Sequence, residues 1–366
     1  KKNKDNISYP IYSINNTEGF LPQSEQFEGL DSNLRKYDIS IYKIVQPKTF
    51  AYNPARINIG SIGYNYDLKD IIISSLYICF KTKKELDDNY LRIYLKTYNF
   101  NTDILRYQEG GVRQYLFYEN FSMIKIPLPS LPEQKKIASF LTSVDNKLNQ
   151  LTKKKKLLNE YKKGVMQKIF SQELRFKDDN GNNYPDWEMK KLEEVIYFFN
   201  GKGHEQDVTS DGLFIIVNSR FISTNGQVKK YTNFQKCPLE KDNIVMVMSD
   251  VPNGKALAKC YYIEKDSLYS LNQRICGLKQ KSINMKLLFY LLNRNKYFLK
   301  FDSGVGQTNL KKSEVLNCPL FIPSSINEQK KIAEFLIAID NKIEVVNLQL
   351  EKTKEFKKGL LQQMFV

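Results

Sequence analysis

Apolar positions follow two different rhythms along the chain. Within 133–170 they fall at Ile137, Leu141, Val144, Leu148, Leu151, Leu158, Val165 and Ile169, and within 328–365 at Ile332, Leu336, Ile339, Ile343, Val346, Leu350, Leu360 and Met364. Steps of three and four place such residues on one stripe of an α-helix. Each stretch would span roughly 57 Å at 1.5 Å per residue. A helix of that length with a single apolar stripe needs a partner to bury it. The pattern therefore predicts two long helices paired as an antiparallel coiled coil about a pseudo-twofold. Lys155 and Lys162 interrupt the first seam, and Thr353 and Lys357 the second.

Elsewhere the rhythm is shorter. Runs at Ile39–Val45, Ile71–Phe80, Leu213–Val217 and Ile244–Met248 are rich in β-branched residues and bounded by Gly, Pro or Asn, which predicts strands. Met285–Leu299 has the apolar spacing of a helix. The expected class is α+β, with two mixed strand-rich globular domains separated by the two long helices. The expected segments are a first domain at 1–129, a first helix at 130–170 and a linker at 171–183. A second domain at 184–324 and a second helix at 325–366 follow.

Self-similarity gives this division its basis. Glu133-Gln134-Lys135-Lys136-Ile137-Ala138 returns as Glu328-Gln329-Lys330-Lys331-Ile332-Ala333, and the register holds without a gap to Phe170 and Phe365. About 17 of 38 positions are identical at this offset of 195 residues. Ser130-Leu131-Pro132-Glu133 and Ser325-Ile326-Asn327-Glu328 both read as capping boxes, with Ser at the N-cap and Glu three residues on. Gly111-Val112-Arg113-Gln114 pairs with Gly304-Val305-Gly306-Gln307, and Pro127 or Pro319 follows each on the way into a helix. Tyr184-Pro185-Asp186-Trp187 and Lys191-Leu192 open the second domain, whereas nothing comparable precedes Tyr9-Pro10-Ile11-Tyr12 in the first. A symmetrical repeat thus predicts roughly 20 to 40 further residues ahead of Lys1, with the first domain N-terminally truncated.

Composition narrows the partner. At 366 residues the chain suits two domains, and a formal charge of +16 with pI near 9.3 favours a polyanion such as nucleic acid or an anionic surface. A Lys-rich proteome would give the same charge without such a partner. The longest apolar run, Ile71–Phe80, is about half a membrane span. The polar start Lys1–Asn6 contains no signal-peptide core. No membrane association is expected. Cys79, Cys237, Cys260, Cys276 and Cys318 are odd in number and lack CxxC spacing, as reduced cytoplasmic thiols would be. With His204 the one histidine, no metal site is expected.

The tandem Pro127-Leu128-Pro129-Ser130-Leu131-Pro132-Glu133-Gln134-Lys135-Lys136-Ile137-Ala138 and its copy resemble the specificity subunits of type I restriction–modification systems. So do the Tyr184-Pro185-Asp186-Trp187 lead-in, the Gly-X-X-Gln elements ending at Gln114 and Gln307, and the Lys-Lys-Gly near each helix end. The resemblance implies two target-recognition domains that each read one half of a bipartite double-stranded DNA sequence. It also implies spacer helices that set the separation and dock two methyltransferase subunits, and two motor-endonuclease restriction subunits that join for cleavage. Adenosylmethionine, ATP and Mg²⁺ would belong to those partners, and this chain would hold no cofactor.

Catalytic motifs do not contradict that expectation. Gly201-Lys202-Gly203 is too short for a dinucleotide turn, and the sequence has neither a Walker lysine motif nor an Asn-Pro-Pro-aromatic tetrapeptide. Glu133-Gln134-Lys135 and Glu328-Gln329-Lys330 have the Glu-X-Lys form of a nuclease, but capping accounts for the glutamates. The chain is expected to be no enzyme.

Base readout calls for Arg against guanine and Asn or Gln against adenine. In the first domain Asn53, Arg56, Arg113 and Gln114 are candidates. In the second they are Asn218, Ser219, Arg220, Lys255, Asn272, Gln273, Arg274 and Gln307. Lys202 and His204 on the glycine loop could approach phosphate or a base edge, and the pair Lys229-Lys230 would position phosphates. A solvated loop or a structural hydrogen bond competes with this role at every position. Lys153–Lys156 are expected on a solvated helix face, with the DNA backbone as the other reading. The competing function is a coiled-coil protein-binding scaffold without DNA recognition, which the helices permit and the charge and twin domains disfavour.

Overall fold

A computed structural model describes residues 1–27, 37–251, 254–302 and 304–365. Val366, at the end of the second expected helical segment, lies outside them. The chain divides into two compact units, Lys1–Lys155 with Val346–Val366, and Lys156–Val345. The division falls inside both long helices, Leu131–Phe170 and Ile326–Met364, so each unit contains a segment of each.

Within the first unit Ala138 and Leu141, near the start of the first helix, share a core with Phe365 and pack beside Leu360 and Met364. Within the second, Ile169 at the end of the first helix joins Ile332, Leu336 and Ile339 at the start of the second. Both pairings are antiparallel, and the apolar stripe explains them. The lysines that interrupt the seam have partners. Lys162 Nζ lies 2.6 Å from Asp340 Oδ1, and Lys357 makes the same pairing with Asp145. Tyr290 adds a hydroxyl that donates to Asp340 Oδ2 at 2.7 Å.

The helix starts depart from the expected capping boxes. Glu328 N–H reaches Ser325 Oγ at 3.5 Å, but among the described residues neither Glu133 nor Glu328 returns a carboxylate bond to its serine. Glu133 is exposed. Glu328 is fully buried near Arg175, whose Nη2 lies 3.9 Å from Oε2. Burial pushes its carboxyl pKa up, and Trp187 and Arg175 oppose the shift without cancelling it.

The glutamines beside them are buried clamps. Gln134 Oε1 accepts from Asp87 N–H at 2.8 Å, and its amide donates to Glu85 O and Pro129 O. Gln329 Oε1 accepts from Asn284 N–H at 2.8 Å and its amide donates to Pro323 O. Asp87 and Asn284 are the N-caps of Asp88–Tyr94 and Met285–Leu292. Each long helix is thus tied by one side chain to a short helix of its own unit.

In the second unit a four-stranded antiparallel sheet runs in the order Cys260–Tyr262, Ile244–Val247, Ile275–Gln280, Ile196–Asn200. Ile244, Met246 and Leu278 enter one core, and Val245, Val247 and Ile275 another. Burial of both faces is why this run reads as continuously apolar. A second sheet orders Tyr231–Thr232, Phe214–Val217 and Tyr269–Leu271, the last two parallel. The first unit contains a three-stranded sheet, Ile62–Asn65, Thr49–Tyr52 and Ile78–Phe80, and a pair, Lys43–Val45 with Ile71–Ile73.

Three expected elements are shorter than the pattern suggests. Ile71–Phe80 is two strands in different sheets, because the chain turns at Ser74–Tyr77 and leaves Leu76 73% exposed. Only Lys43–Val45 of Ile39–Val45 is strand, since the Asp38 carboxylate accepts from Ser40 N–H at 2.9 Å and turns the segment before it. Met285–Leu299 breaks after Leu292, where Arg294 adopts φ +59° and Asn295 caps a new helix, Lys296–Leu299. Residues 171–183 are anchored to the second long helix, with the Phe176 ring 5.5 Å from Phe335 and Lys331 Nζ donating to Lys177 O.

Among the described residues no helix is long and apolar enough to cross a membrane, and no cluster of His, Cys, Asp and Glu could hold a metal. The cysteines are free, and burial pushes Cys276 and Cys318 up to about 12, which leaves them as thiols.

Candidate nucleic-acid interface

In the first unit, Glu109 and Tyr115 exchange backbone hydrogen bonds at 2.9 and 2.7 Å and close a loop over 110–114. Gly110 has φ +122°, and a Cβ there would meet Arg113 O at 2.2 Å, so the turn requires glycine. Leu116 N–H then donates to Pro54 O and lays this loop beside the one that follows the strand Thr49–Tyr52. The result is an open cleft of about 550 Å³ with Arg56, Asn58, Arg113 and Gln114 around it. Asn53 is outside it; its Oδ1 accepts from Ala55 N–H at 3.0 Å and shapes the turn that presents Arg56.

The second unit repeats the construction. Thr308–Asn309 pairs with Ser249–Asp250, and Leu310 N–H donates to Met248 O, directly after the strand Ile244–Val247. Gln307 Nε2 donates to Ser249 Oγ at 2.5 Å. Asp250 Oδ2 accepts from Ala256 and Leu257 N–H, which folds the loop carrying the exposed Lys255.

Backbone bonds string the other candidates along the same edge. Met248 N–H donates to Arg274 O, Asn272 N–H to Val217 O, and Lys202 N–H to Leu271 O. The segments 272–274, 218–220 and 202 therefore leave the sheets at neighbouring points. Ile216 N–H donates to Lys230 O, which adds Lys229 and Lys230 on the far side of the strand. Lys202, Ser219, Arg220, Lys229, Lys230, Lys255, Gln273 and Arg274 are exposed. Among the described residues, none of these cations makes an ion pair. Gln273 is bound to Glu205 Oε1 at 2.6 Å.

Three candidates have internal work. His204 is 1% exposed, its Nδ1 2.7 Å from Lys202 O and its Nε2 2.8 Å from Ser270 Oγ. Both ring nitrogens are used to fix the glycine loop that also carries Lys202. Asn272 Oδ1 accepts from His204 N–H, and Asn218 Oδ1 caps the helix Ser219–Ser223 by accepting from Phe221 N–H. Gly201 lies so close to Asn272 O that a Cβ would stand 2.0 Å from it. Asn58 also neighbours the first Gly-X-X-Gln loop, and Ser249 and Asn309 the second.

This construction defines a repeated, two-unit α+β protein whose available chemistry is a set of exposed polar loops. Residues 1–160 and 184–354 match the family described as the type I restriction modification DNA specificity domain. The chain is 30% identical over 314 residues to the type I restriction enzyme MjaVIII specificity subunit of Methanocaldococcus jannaschii, covering 80% of this chain and 73% of that one. It is 25% identical over 381 residues to the putative MjaX specificity subunit of the same organism, covering 99% and 87%. A crystal structure of the type I restriction-modification system S subunit from M. genitalium has the same fold, with TM-score 0.62 and 17% identity over 99% of this chain and 89% of that one. A chain from a structural study of type I R-M complex assembly matches with TM-score 0.52 and 13% identity, over 88% and 82%. The chain belongs to the type I restriction–modification DNA specificity family. It is a specificity subunit, and specificity subunits are not the catalysts of these systems.

Proposed function

We propose that each unit reads one half of a bipartite double-stranded DNA target. The carrying observation is the repeated loop pair. Both units set a Gly-X-X-Gln loop against the loop after a core strand, with Arg56 and Arg113 in one and Lys255 and Arg274 in the other. Arg and Gln match base edges in the major groove, while exposed lysines such as Lys202, Lys229 and Lys230 suit phosphates. The long helices set the spacing of the halves and dock two methyltransferase subunits, to which two restriction subunits add. Adenosylmethionine, ATP and Mg²⁺ act on those partners, and the assembly works in the cytoplasm.

Selection of duplexes from a randomised pool by the full chain with its methyltransferase partner tests this reading. Enrichment of two short motifs separated by an unspecified spacer supports it. Enrichment of no sequence overturns it and favours a protein-binding scaffold.

A further inference from the structure

Each Gly-X-X-Gln loop has a valine at its tip. Val112 is 106% exposed and Val305 83% exposed, among the most exposed large apolar residues in the chain. A single exposed valine needs no explanation. These two stand at the same place in two units whose other loops diverge, each two residues before the glutamine and directly after a glycine.

Both loops are closed at the base. The backbone pair Glu109–Tyr115 pins the first loop, and Asn120 Nδ2 braces Glu109 Oε1 at 2.7 Å. In the second, Asp302 Oδ1 accepts from Gly304 N–H and from Thr308 Oγ1 at 3.0 and 3.1 Å, across the base of the loop. Gly304 and Gly306 take φ +71° and +73° around Val305. A β-branched side chain has few rotamers to lose, so such a tip is preorganised for contact.

The surroundings identify the surface that would cover it. Arg113 and Arg56 flank Val112, and Lys255 lies on the loop that pairs with the base of the Val305 loop. Their charge suits a polyanion, whereas the tips are apolar. In a duplex the apolar group presented in the major groove is the thymine C5-methyl. Resting on the DNA-reading function above, we propose that Val112 and Val305 each pack on a thymine methyl, one in each half-site. The two valines are thereby specificity-determining residues.

The test uses the bipartite target identified by selection, with each thymine replaced in turn by uracil, which removes the methyl alone. Binding is measured with the full chain and its methyltransferase partner. One replacement in each half-site is expected to weaken binding about threefold to fourfold, as loss of one buried methyl does. Val112→Ala is expected to reduce sensitivity to uracil in one half-site and leave the other, and Val305→Ala to do the converse. Unfolding temperatures equal to that of the unsubstituted chain establish that both variants fold. Uniform indifference to uracil, half-sites without an A·T pair, or unchanged uracil sensitivity in both variants would each overturn the proposal. Those results leave the DNA-reading function standing, whereas failure to bind any duplex sinks that reading itself.

Discussion

Lys162 Nζ stands 2.6 Å from Asp340 Oδ1, at a position where the apolar seam of the first long helix is broken. Lys357 and Asp145, each 195 residues from a member of that pair, make the same contact in the other unit. A lysine at a seam position costs stability unless it is paired, and a single buried polar position fixes the register of a coiled coil. Lys162 also lies 5.0 Å from the centre of the Tyr290 ring.

Replacing Lys162 with Ala therefore leaves the partly buried Asp340 with the Tyr290 hydroxyl alone. The expected loss is about 1–2 kcal/mol in denaturant unfolding. Lys357→Ala should cost a comparable or smaller amount.

Gln134 and Gln329 should be among the polar residues least tolerant of change. Gln329→Ala leaves the Asn284 N–H and the Pro323 carbonyl without their partner, as Gln134→Ala does for Asp87, Glu85 and Pro129. Each substitution is expected to cost about 2–4 kcal/mol by chemical denaturation. A loss below 0.5 kcal/mol would contradict the clamp.

Glu328 and Glu133 should behave differently despite their equivalent places in the repeat. Burial raises the folded pKa of Glu328 above its ordinary value of 4.5. Between those two values the folded chain binds more protons than the unfolded one, so this group's contribution to stability falls as pH rises. Glu328→Gln removes that fall. The stability of the variant relative to the unsubstituted chain should increase with pH through the window above 4.5. Glu133 is exposed, and Glu133→Gln should leave the unfolding free energy within about 0.5 kcal/mol.

His204 and Lys202, two residues apart, separate structure from binding. His204→Ala removes two hydrogen bonds, one of them buried, and should lower the unfolding free energy by about 1–3 kcal/mol. Lys202→Ala should leave stability alone, weaken DNA binding, and reduce the slope of log affinity against log salt by about one.

The helices and their antiparallel pairing were legible because a 3-4 apolar stripe and a fixed 195-residue offset are long, redundant signals. The second capping box keeps its Ser325 half and lacks the carboxylate half because Glu328 is enclosed by Arg175 and Trp187, and tertiary burial outweighs a local bond. Ile71–Phe80 and Met285–Leu299 form shorter elements than their apolar runs, since Ser74–Tyr77 and Arg294 turn the chain without a Gly or Pro to announce it. Candidate contacts were legible as residue types and not as roles. The side-chain oxygens of Asn218 and Asn272 and both ring nitrogens of His204 hold their own loops, which residue type alone does not reveal.

The most direct test of two independent readers is methylation mapping in cells whose specificity subunit has 184–324 replaced by that segment of a relative. The account predicts a modified motif with one half changed and the other half retained. A motif changed in both halves, or in neither, would contradict it.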